Sequence, residues 1–238
     1  MAVMTGQLIQ AQKGAISEMI LGEEGPRARV VHSLLAASLD HAESATLLLA
    51  ANPATYGVSA FALFRPQLES FCRAVMFSLS SEVSDDEVRA FIAKDTLPQR
   101  VPAGGKKKGD IRFDAISNIT MREMNAIGEQ MDGTKETFKR FVLFAMKDLH
   151  GFVHGGSVLY RMYTDGGNGV GFDLSHETAR QLLSHIGRLG QVAYMFLGIR
   201  MARGGDLTAA PMRAAWPPFC RHVARAPRAA AMMDAAPH

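Results

Sequence analysis

The sequence predicts an all-α fold, an antiparallel bundle of long helices, and three observations point to it. Apolar residues recur at helical spacing over several long stretches. No alternation of period two persists over several residues, as a half-buried strand would require. The breaks between the periodic stretches are proline and glycine clusters, the strongest local punctuation a chain has. At 238 residues the chain is long enough for one domain with a well-buried core, or one domain plus a tail. It contains no internal repeat.

Residues 7 to 21 have helical composition, and the Gly22–Pro26 segment separates them from the next helix. That long helix is predicted from Pro26 to about Ala51, with the proline in its first turn, where a missing N–H costs nothing. Val30, Leu34, Leu35, Leu39 and Ala42 form its apolar face, and Asn52-Pro53 ends it. A further helix, about Thr55 to Leu79, is apolar on most sides and so belongs near the centre. Pro66 falls inside it and is expected to kink it. Ser84 to Lys94 reads as a short helix whose acidic first turn, Asp85-Asp86-Glu87, suits the helix dipole.

Leu97 to Phe113, rich in proline, glycine and lysine, reads as an exposed loop; its glycine pair lacks the spacing of a P-loop. Helices are predicted from Asp114 to Met131, from Thr134 through the Phe138–Ala145 face, and from Ser175 to about Arg203. Thr164–Gly171 is the strongest flexible-loop signal. The expected organisation is an N-terminal helical arm (1–25), a bundle domain (26–203) and a tail (204–238) rich in Ala, Pro and Arg. Within that tail only Trp216-Pro-Pro-Phe219 is a plausible anchor before a disordered end.

Composition narrows the function classes. A hydrophobic share of 47% with 21% charged residues is that of an ordinary soluble domain. No apolar run reaches the roughly 18 residues that a membrane span needs. The N-terminal residues lack the basic and apolar regions of a signal peptide, so a cytoplasmic protein without a membrane partner is expected. Cys72 and Cys220 lie far apart and form no CxxC pair, which argues against a thiolate zinc cage. No cofactor is predicted. The net charge of +3 says little about partners, although basic residues cluster at Lys106–Lys108 and along the tail.

Two polar constellations stand out. Lys147, His150 and His154 follow one another at i, i+3 and i+7, so one helix face can carry all three. Gly155-Gly156 suits a left-handed helix end there. A histidine able to move a proton beside a cation able to stabilise phosphate charge is one reading; hydrogen bonding across helices is the other. His-x3-His also suits a metal, with Glu69 or Asp40 as further ligands. The residue after His150 is Gly151, however, so the general base of a His-Glu-x-x-His site is missing, and no metal is predicted.

The second constellation is Arg65, Glu69 and Arg73, a stripe at i, i+4 and i+8 on the most apolar helix. Charges in such a setting are paired or face a cleft. The stripe reads equally as a phosphate clamp with Glu69 orienting an arginine or as an interhelix ion-pair network. Arg180 and His185 form a weaker Arg-x4-His string on the last long helix.

A helix bearing Arg-Pro-x-x-Glu-x-x-x-Arg, followed much later by Leu-His-x-x-Val-His-Gly-Gly, resembles a family of uncharacterised bacterial helical proteins. That family is distantly similar to the HEPN (higher eukaryote and prokaryote nucleotide-binding) superfamily and to abortive-infection proteins. The resemblance spans about residues 26 to 203. It implies a helical, dimeric protein, a metal-independent RNase or an RNA- or nucleotide-binding module in phage defence or a toxin–antitoxin system, with an antitoxin or operon partner.

The superfamily's signature, an arginine shortly before a histidine, falls on Lys147 and His154. Lysine there lacks the bidentate fork of arginine. Arg180 and His185 keep the arginine but lack the polar residue that commonly follows it. If the chain is an enzyme, the resemblance implies an endoribonuclease. His154 or His150 would then activate the 2′-hydroxyl, while Lys147, Arg65 and Arg73 hold the phosphate. The alternative is a non-catalytic scaffold or sensor in which the same residues form a structural network.

Overall fold

The computed structural model describes residues 1–20, 25–101, 109–128 and 176–201 of the chain. Lys147, His150 and His154, the predicted helix from Thr134, the Thr164–Gly171 loop, Lys106–Lys108 and the 204–238 tail lie outside the described residues. The described part is almost wholly helical: α1 (Ala2–Ile20), α2 (Pro26–Ala51), α3 (Pro53–Ser78), α4 (Asp85–Lys94), α5 (Phe113–Gly128) and α6 (His176–Met201). The all-α prediction holds.

The centre is the α2–α3 hairpin, and a single residue makes its turn. Asn52 is extended, donates its N–H to the Leu48 carbonyl at the end of α2, and accepts the Thr55 N–H with its side chain at 3.1 Å. Pro53 then occupies the first turn of α3, where its fixed φ suits a helix start. The two helices pack antiparallel along their whole length. Ser38 of α2 donates to the Gln67 carbonyl of α3 at 2.8 Å, and Arg27 reaches the Phe77 carbonyl at 2.7 Å.

Pro66 does not end α3, which runs through it as one helix. The lost backbone bond is offset by burial on either side, since Phe61, Phe64, Leu68, Phe71 and Val75 are all in the core.

Helix α1 begins earlier than the composition of residues 7 to 21 suggests, and Leu8, Ile9 and Ile16 are buried. It lies antiparallel to α2: Gly6 approaches Thr46, while Lys13 pairs with Asp40 at 2.7 Å and Glu43 at 2.5 Å. Both partners hold the Lys13 ammonium above its ordinary pKa, Asp40 most of all. Helix α6 runs in the direction of α3: His185 meets Phe64 and Phe196 meets Phe71, so the numbers rise together.

A buried polar layer crosses the bundle at this level. Gln67 donates to the Ile186 carbonyl at 3.2 Å, and Gln12 lies against Gln191 and Gly190.

Ser84 starts α4 with a capping box, its hydroxyl accepting from the Glu87 N–H and the Glu87 carboxylate accepting from the Ser84 N–H at 2.9 Å. Asp95 closes it in the left-handed region at φ 51°. The 97–113 stretch is not wholly an open loop. Gln99 pairs with Asp110 and Arg100 with Gly109 in a two-residue antiparallel ladder, too short to leave an alternating pattern in the sequence. The Ile111 N–H also bonds the Pro98 carbonyl at 2.9 Å, and the Ile111 side chain is buried. Among the described residues no helix is long and apolar enough to cross a membrane.

Candidate phosphate-binding site

Helix α3 places the Arg65–Glu69–Arg73 stripe as its spacing requires. With Phe64, Gln67 and Phe71 turned to α6 and α2, residues 65, 69 and 73 fall on an adjoining face about 100° or more away. The three side chains are partly buried, at 19%, 25% and 36% exposure in chain order.

Glu69 stands between the two arginines. Arg65 donates its Nε–H to Glu69 Oε1 at 2.8 Å, a charge-assisted bond of good length. Arg73 is different. Its Nη2 is 3.9 Å from Glu69 Oε2, beyond hydrogen-bond range, and its buried Nε has no hydrogen-bond partner among the described residues. The three side chains of the stripe, two guanidinium groups and one carboxylate, together carry one net positive charge. A guanidinium with unmet donors beside a neighbouring cation suits a planar or tetrahedral oxyanion.

The other predicted residues separate. Arg180 folds back on Glu177, with Nη1 3.5 Å from Oε2. His185 lies 2.7 Å from the Gln181 carbonyl through Nδ1 and stacks edge-on against Phe64 at 6.1 Å between ring centres. A carbonyl only accepts, so Nδ1 carries the proton and Nε2 is the basic nitrogen. Five positions apart on one helix, Arg180 and His185 are rotated about 140° from each other. Lys147, His150 and His154 lie outside the described residues.

Asp40 and Glu69, the acidic candidates for a metal with the histidines, are both ion-paired and on different helices: Asp40 with Lys13, Glu69 with Arg65. Among the described residues no group of three His, Cys, Asp or Glu side chains is placed to hold a metal ion. Cys72, next to Arg73, is fully buried, and that burial pushes its thiol up to about 12, which leaves it inert as a nucleophile.

An ion-pair cluster that the sequence did not reveal clasps the end of α3. Arg27 donates to the carbonyls of Phe77 and Val83 and pairs with Asp85. Arg100 pairs with Glu87 at 2.6 Å and bonds the Glu82 carbonyl, while Arg122 pairs with the Glu82 side chain. The Arg100 guanidinium holds the Glu87 carboxyl below its ordinary range. Each cation here is engaged by protein acceptors, which marks a structural clasp.

The region from the middle of α2 through α6 and beyond, residues 35–216, matches a known family profile. The chain belongs to the family of unknown function DUF6988. The DUF6988 region contains the whole of α3, and with it Arg65, Glu69 and Arg73, as well as Lys147, His150 and His154. No curated protein and no solved structure matches the chain.

Proposed function

We propose that this DUF6988 protein binds a phosphodiester or nucleotide phosphate on the α3 stripe, with Arg73 as the primary cation and Arg65, oriented by Glu69, as the second. The observation that supports this most is Arg73: its Nε is buried and without a hydrogen-bond partner among the described residues, while its side chain remains 36% exposed. Leaving a buried charged donor unmet costs about 1–3 kcal/mol or more, and a phosphate bonded to the exposed part of the same guanidinium offsets that cost.

On this reading the protein is a cytoplasmic RNA- or nucleotide-binding module. Its HEPN-like RNase form uses His154 or His150 as base toward a 2′-hydroxyl, with Lys147 at the phosphate. A homodimer, an antitoxin partner and a place in phage defence belong to the same proposal and rest on the sequence resemblance.

A second reading has its own support. Arg65 and Glu69 pair at 2.8 Å on one helix, as in a structural network of a non-catalytic scaffold. RNA degradation by the purified protein separates the two. Cleavage that is insensitive to chelator and lost in His154→Ala supports the RNase form. Absence of cleavage, with RNA binding weakened in Arg73→Gln, supports a binding module. Neither cleavage nor binding leaves the scaffold.

A further inference from the structure

A groove of about 700 Å³ runs between the N-terminal half of α2 and the last turns of α4, apart from the α3 stripe. Its walls are largely apolar, with Val30 and Leu34 from α2 and Phe91 and Ile92 from α4. Phe91 stacks on the buried Phe77 at 4.6 Å, which fixes that wall to the core. Ile92 is 56% exposed, an unusual place for a large aliphatic side chain on a short helix that otherwise carries charges outward. Two arginines, Arg29 and Arg89, complete the lining. Arg89 is held by Asp86 at 2.6 Å, whereas Arg29 forms no ion pair among the described residues.

We propose that this groove binds an anionic amphiphile, a medium- or long-chain carboxylate whose hydrocarbon lies between α2 and α4 and whose head group is taken by Arg29. The volume and the apolar lining with few polar groups match small-molecule sites. Charge selects the sign of the occupant, because a carboxylate complements Arg29.

The chain's own residues 202–238 are a poor match, with Arg203, Arg213, Arg221, Arg225 and Arg228 against Asp206 and Asp234. The site is separate from the proposed phosphate site and does not depend on it.

Calorimetric titration of the full-length protein with decanoate, below its micelle threshold, tests this. One-site saturable binding is expected. Arg29→Gln should weaken it about ten-fold through loss of the charge-assisted bonds. Ile92→Asp, at an exposed position, should weaken it at least as much with an unchanged melting curve, and Arg73→Gln should leave it unaltered. Decanol and decyltrimethylammonium should bind at least ten-fold more weakly than decanoate. No saturable binding, equal binding of decanol, or binding indifferent to both groove variants would overturn the proposal. So would binding of an acidic amphipathic helical peptide with none of decanoate.

Discussion

Removing Arg27 should cost more stability than removing any other described surface arginine. Its guanidinium donates to the Phe77 carbonyl at 2.7 Å and the Val83 carbonyl at 2.8 Å, and meets Asp85 at 2.5 Å. The arginine side chain is 22% exposed and the aspartate 72%. A hydrogen bond from a charged donor contributes about 1.5–3 kcal/mol net, and water regains part of what the two carbonyls lose. The exposed pair with Asp85 adds about 0–1 kcal/mol. Arg27→Ala should therefore destabilise by roughly 2–4 kcal/mol, lowering Tm by about 5–15 °C in a chain of this size.

Arg27→Lys keeps the charge but loses the planar fork that reaches both carbonyls at once, and should lose about half as much. Asp85→Asn should lose under about 1 kcal/mol. Urea unfolding monitored by circular dichroism gives all three values. A loss below about 0.5 kcal/mol for Arg27→Ala, or equal losses for Arg27→Ala and Asp85→Asn, would refute the carbonyl clasp as the source of the energy.

Three further outcomes rest on the packing and titration of single groups. A Cβ on Gly190 would meet Gln12 Oε1 at 2.5 Å and Leu39 Cδ2 at 3.4 Å, so Gly190→Ala should destabilise by about 1–2 kcal/mol despite its better helix propensity. Adding Gln12→Ala should recover most of that loss in a double-mutant cycle, and strict additivity would contradict the contact. In a Cys220→Ser background, Cys72 should react with a thiol reagent at pH 8 only on unfolding, because its folded thiol stays neutral toward pH 12; the stability this neutrality confers is present below pH 9 and lost as pH rises from there. Native labelling at the unfolded rate would oppose that burial. The Arg100–Glu87 pair depresses the Glu87 pKa, so its stabilisation is present above the ordinary value of 4.5 and fades as pH falls through the lower folded value. The stability gap between the wild type and Glu87→Gln, under about 1 kcal/mol near neutral pH, should narrow as pH falls below the ordinary carboxyl value of 4.5; a gap independent of pH would contradict the pairing.

Much of the fold was legible because its boundaries are local. Pro26, Asn52-Pro53 and Ser84 with Glu87 three residues on set the starts of α2, α3 and α4 within a few residues. The first turn of α1 was harder, since Met1–Gly6 has no cap signal and is defined by burial against α2 and α6. The Arg65–Glu69 pair follows from i, i+4 spacing on one helix.

The Arg27 clasp joins residues fifty positions apart, and Lys13 meets Asp40 and Glu43 across two helices. No local spacing encodes such contacts. The unmet Nε of Arg73 depends on where Glu69 is already committed, which is a property of packing. The contacts of Arg180 with Glu177 and of His185 with the Gln181 carbonyl are, by contrast, local ones within a single helix.

We propose that the α3 stripe binds phosphate through Arg73. The most direct test is the affinity of a single-stranded RNA oligonucleotide for the wild type and Arg73→Gln across a range of salt concentrations. Loss of one phosphate contact should weaken binding about ten-fold and reduce the slope of log K against log salt by about 0.7, with folding unchanged. Equal affinity and equal slope for the two proteins would contradict it.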